Sequence, residues 1–131
     1  MEKNIIGKRF FDISAFQTLS NKAASEPADL EIIQDAVDSF TSYVKDVDIG
    51  EQQIKFAYAT LDGDELRQRV TAVDARRRRC HEAAISNAKL LNRLAEIYQV
   101  SAVFTGNFND RLQVADFCLD ITVELFENRR K

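Results

Sequence analysis

The residues best equipped for chemistry gather in one short run. Arg76, Arg77, Arg78 and Arg79 are consecutive, and His81, the single histidine, follows two positions later. A histidine near neutrality can act as a general base and an arginine can hold a phosphate, which makes Arg76 and His81 the candidate catalytic pair. On a helix four consecutive residues sweep about 300°, so the quartet does not build a single basic face. Arg77 needs a buried counter-charge, with Asp116 and Asp120 as candidates. Two pairs of carboxylates, Asp35 with Asp38 and Glu124 with Glu127, are spaced to share a helix face and are the candidate metal ligands. Cys80 and Cys118 have no second Cys or His at zinc-ligand spacing, and they read as reduced, buried thiols of a cytoplasmic protein.

These groups must be carried by helices. Four Gly and one Pro in 131 residues leave too few turns for a sandwich or barrel. The expectation is a single all-α domain over residues 1–131, a bundle of four or five helices. A short helix starts after Asp12 or Ser14 and ends near Asn21. A second opens at Pro27 behind Ser25 as N-cap and runs to about Val47, with Leu30, Ile33, Val37, Phe40 and Val44 at steps of 3 and 4. Asp48 with Glu51 then caps a third, ended by Asp62-Gly63. From about 64 to 98 there is neither Gly nor Pro. Leu66, Val70, Val73, Arg77, Cys80, Ala84, Ala88, Leu91, Ala95 and Tyr98 form one seam through that stretch. Asn107 and Asp110 cap a C-terminal core helix, about 108–127, whose apolar residues cover most of its circumference and place it centrally.

The helix over 64–98 is too long for its domain. Thirty-five residues span roughly 52 Å, against a diameter of about 36 Å for a compact chain of this size. Two resolutions exist, a break near the Arg run or a second chain. With no breaker residue inside the helix, the overhang predicts the second chain, a homodimer formed through the long helix. Residues 26–65 carry 11 acidic and 2 basic side chains, while 66–79 carry 6 basic and 1 acidic. The two segments offset each other, so a nucleic-acid partner is not expected. No apolar run approaches a membrane span, and no membrane partner or cofactor is expected.

Three resemblances touch these residues. Arg76-x4-His81 is compatible with the R-x4–6-H motif of the HEPN helical ribonucleases, which implies cleavage at a ribose 2′-OH and phosphate. That family usually has a polar, non-basic residue just after its arginine, where Arg77 stands here. Glu124-x-x-Glu127 and Asp35-x-x-Asp38 resemble the acidic pairs of helical nucleotide pyrophosphohydrolases, though in another order and separation. Arg78-Arg79-Cys80-His81-Glu82-Ala83-Ala84-Ile85, Leu91-Asn92-Arg93-Leu94 and Arg111-x-x-Val114-Ala115-Asp116-Phe117 resemble a domain-of-unknown-function family. Its members are small helical proteins of Gram-positive bacteria and their mobile elements, and the likeness covers about residues 74–128. It implies an intracellular α-helical protein with no assigned activity.

Packed antiparallel, the last two long helices would bring Arg93 to Asp116 or Asp110, and Arg77 and His81 to the Asp120–Glu127 end. Arg77, Arg93, Asp116 and Asp120 then form a structural polar cluster that fixes the register. The leading functional expectation is a non-enzymatic interaction or structural accessory protein acting as a homodimeric bundle. The alternative is a HEPN-like ribonuclease or a metal-dependent nucleotide hydrolase.

Overall fold

A computed structural model describes residues 10–130, with side chains through Leu125. Its helices are α1 (Ile13–Lys22), α2 (Pro27–Thr60), α3 (Gly63–Ile97) and α4 (Arg111–Arg130). Asp12 caps α1 by accepting from the Ala15 amide at 3.0 Å. The cap satisfies one of the helix's free N–H groups, and the short helix buries Ala15, Phe16 and Leu19. Pro27 opens α2, but the N-cap is Glu26, not Ser25, and its side chain makes no capping bond.

The main departure from expectation lies in α2. The helix does not stop near Val47 for another to begin at Asp48; it runs unbroken for 34 residues through Gly50. The domain therefore has two overlong helices. The reason is a continuous apolar seam: Ile33, Ala36, Phe40, Tyr43, Val47, Gly50, Ile54, Ala57 and Leu61 recur at 3 and 4 without a change of phase. The seam of α3 lies against it as read from the sequence, with Val73, Ala84, Ala88, Leu91 and Ala95 buried. The two helices reverse at Leu61-Asp62, and Gly63, at φ 59, supplies the left-handed turn.

Contacts along this antiparallel pair fix its register. Tyr98 donates to Asp29 at the base, Tyr43 packs on His81 with ring centroids 5.6 Å apart, and Arg76 bonds Asp46 and Gln53 further out. Gly50 allows close approach there: a Cβ would lie 3.0 Å from Arg77 Nη2 and 3.1 Å from Val73 Cγ1. The free half of α3 is thus covered by the free half of α2. The overhang has a third resolution inside the chain and does not by itself require a second one.

At the base, α1, the 98–110 connection and α4 pack on one side of the hairpin. Phe11, Phe40, Phe104 and Phe117 meet there, with the Phe117 ring 4.9 Å from Phe40, 4.9 Å from Phe104 and 5.8 Å from Phe11. A single antiparallel bridge joins Phe11 to Phe104. Asp110 starts α4 by accepting from the amides of Leu112 and Gln113. α4 is not central, as its all-round apolar character suggested. Val114, Phe117, Cys118 and Ile121 face the core, while Leu112, Leu119 and Val123 are exposed on the outer side. Among the described residues no helix is long and apolar enough to cross a membrane.

α3 ends at Ile97 with Tyr98 as its C-cap, and the next residue, Gln99, sits at φ 59. A residue with a Cβ is strained there by roughly 1 kcal/mol, and glycine is not. Gln99→Gly should therefore raise stability by about 0.5–1 kcal/mol, read as a higher urea midpoint at unchanged slope.

Candidate functional site

Arg76 and His81 are positioned by the same helix but not into one cleft. Five residues on α3 turn through about 140°, so the two side chains leave opposite flanks. Arg76 Nε donates to Asp46 Oδ1 at 2.5 Å and its Nη2 to Gln53 Oε1 at 2.8 Å, both on α2. The Asp46 side chain is only 11% exposed, so this pair is largely withdrawn from solvent on the carboxylate side. His81 is 7% exposed and lies beside Tyr43. Burial, and then the charge of Arg111, hold its pKa below the ordinary histidine value. The imidazole is neutral at pH 7 but shut away from any substrate.

That burial has a measurable consequence. The unfolded chain takes up a proton near pH 6.5, whereas the folded chain resists it to lower pH. Stability linked to His81 is therefore full above pH 6.5 and is lost as pH falls towards the depressed folded value. Urea titrations of wild type and His81→Phe between pH 7.5 and 5 (roughly the range over which histidine titrates) should diverge. The wild type should lose more stability, with an extra slope no steeper than about 1.4 kcal/mol per pH unit.

Arg77 lies against Gly50, and its Nε and Nη2 are buried with no hydrogen-bond partner among the described residues. Arg93 and Asp116 are both exposed, and no ion pair joins them. Asp120 is half-buried and engaged in an interaction of its own. The polar contacts that fix the hairpin register thus run between α2 and α3, where Asp46, Gln53 and Asp29 supply the partners. Their signal in the sequence was the acidic character of 26–65 facing the Arg-rich turn.

The carboxylate pairs are also separate. Asp35 and Asp38 are exposed on α2, Glu124 is half-buried on α4, and the side chain of Glu127 lies outside the described residues. Among the described residues no three His, Cys, Asp or Glu side chains come together. Cys118 is buried and its thiol is pushed up to about 12; burial and the nearby Asp46 also raise Cys80. Both thiols are the opposite of activated nucleophiles.

A groove of about 750 Å³ lies between α1, α2 and α4. Phe16, Leu30, Ile33, Val37 and Leu125 make it apolar, with Asp38 and Lys45 along it. It presents a surface for apolar side chains and has no histidine or cysteine in its lining.

Comparison with known families finds a match over nearly the whole chain. The model of DUF3232, described as a protein of unknown function, matches residues 10–131. The chain belongs to that family. Membership extends the likeness read from residues 74–128 across nearly the whole domain, including α1 and α2. No curated protein matches the chain. For this DUF3232 domain the reading of function rests on how its own side chains are disposed.

Proposed function

We propose that this DUF3232 domain is a non-enzymatic interaction or structural accessory protein that works through the open face of the α2–α3 hairpin. One observation carries the reading. α1, the 98–110 connection and α4 all pack on one side of the hairpin, and the other side keeps Ile49, Phe56, Leu90 and Ile97 exposed. Phe56 is 62% and Ile97 68% exposed on helices whose inner seams are already filled. A face of that kind is a docking surface more than a by-product of folding. The polar groups that could do chemistry are meanwhile engaged in packing, Arg76 by α2 and His81 beneath Tyr43. Free thiols at Cys80 and Cys118 support a cytoplasmic setting.

The competing enzymatic reading gives the test. Purified protein is incubated with single-stranded RNA, and separately with a nucleoside triphosphate and Mg²⁺. No turnover above a buffer blank is expected. Turnover that falls in Arg76→Ala or His81→Ala would overturn the reading.

A further inference from the structure

The open face has an internal symmetry of its own. On α3, Arg76, Ala83, Leu90 and Ile97 recur every seven residues, so they form one stripe along the flank that Arg76 shows to Asp46 and Gln53. On α2, Ile49 and Phe56 are likewise seven apart and lie on the flank of Asp46 and Gln53. Lys89, which reaches over Phe108, and Asn92, which bonds the 103–104 backbone, leave the opposite flank, where the rest of the domain sits. By the register of the pair, Leu90 is level with Asp35 and Ile97 with Ala28. The span from Ile49 to Leu90 and the span from Phe56 to Ile97 therefore share one centre, near Ser42 and Ala83.

We infer that a second copy of this chain covers the face, antiparallel, with a two-fold axis crossing near Ser42. The inference rests on the reading of that face as the working surface and names its occupant. A two-fold there brings the level of Ile49 onto the partner's Leu90 level, and that of Phe56 onto the partner's Ile97 level, so that both apolar patches are covered at once. The charges agree. The outer half of the face carries exposed Arg69 and Arg79, and the inner half exposed Glu31 and Asp35. The same operation brings Arg69 and Arg79 towards the levels of the partner's Glu31 and Asp35, twice over. Serines 39 and 42 and Ala83 near the axis leave room for the helices to meet.

Size favours this face over the other exposed stripe. Helices about 50 Å long and about 20 Å across as a pair offer on the order of 1,000 Å² per chain, above the roughly 800 Å² per partner of a stable complex. The stripe Leu112, Leu119 and Val123 on α4 extends over only about 18 Å.

Cross-linking of the full chain tests the arrangement. With Cys80→Ser as background, Ser42→Cys near the axis should give a disulfide-linked dimer under mild oxidation, since the two Cα atoms must come within about 7 Å. Thr60→Cys, exposed at the far end of the arm, should not. Arg69→Glu should weaken association at least tenfold at low salt, and Glu31→Arg in the same chain should restore it. Equal cross-linking at both sites, or at neither, overturns the arrangement. So does a dimer abolished by Leu119→Asp and untouched by Phe56→Asp, which would place the contact on α4. Circular dichroism checks that each variant remains folded, as expected because all substituted positions but Cys80 are exposed. A monomer without turnover removes the second copy and leaves the interaction reading, whereas RNA or nucleotide turnover removes that reading whatever the mass.

Discussion

Phe117→Ala should cost the fold about 3–5 kcal/mol, a large part of what holds a domain of this size together. The ring is fully buried at the meeting point of three others, Phe11 before α1, Phe40 on α2 and Phe104 in the 98–110 connection. Removing it takes away its ring contacts with all three and leaves a cavity bounded by separate elements, which cannot all close in together. The loss is read as a fall in the urea midpoint with the slope unchanged. Phe117→Leu, which keeps much of the volume, should cost distinctly less. An alanine variant within about 1 kcal/mol of wild type would mean that α4 does not seat on the hairpin as described.

Asn92→Ala should cost about 2–4 kcal/mol, although the change removes only a small polar side chain. Asn92 Oδ1 accepts from the amides of Val103 and Phe104 at 2.9 and 3.0 Å, and its Nδ2 donates to the Phe104 carbonyl at 2.9 Å. Val103 and Phe104 are buried, so those three backbone groups lose partners that water does not easily replace. The same segment continues into Asp12 N–H to Val103 O and Thr105 N–H to Phe10 O, which tie the start of the chain to the connection. Hydrogen exchange at Val103, Phe104 and Thr105 should accelerate in the variant more than exchange within α2. Asn92→Asp keeps the acceptor for the two amides but turns an oxygen on the Phe104 carbonyl, so an intermediate loss is expected.

These two residues also show what was legible in advance. Phe117 stood in a helix with obvious apolar content, so its burial followed from pattern alone. Which side of α4 faced inward did not, because Leu112, Leu119 and Val123 are as apolar as the residues that are buried. Asn92 bonds the backbone of an irregular segment, and the side-chain types opposite it hold no trace of that. The seam of α3 and the cap at Asp12 were readable because each depends on local spacing.

The unbroken course of α2 was hidden by its own exception. Gly50, beside the capping pattern of Asp48 and Glu51, looks like a boundary. It is instead a seam position left small because Val73 and the Arg77 guanidinium occupy the space across from it. Following the 3-4 phase from Val47 to Leu61 would have revealed the helix, and with it a hairpin in place of one unsupported rod. Arg76 and His81 were close in sequence and were separated by the turn of the helix, a fact of geometry that the motif spacing conceals.

Sedimentation equilibrium of the full chain at micromolar concentration tests most directly whether the open hairpin face is the working surface and a second copy its occupant. The account predicts a particle of twice 14.9 kDa that falls to a single 14.9 kDa chain with Phe56→Asp. A wild-type mass of 14.9 kDa, or a double mass that Phe56→Asp leaves in place, would contradict it.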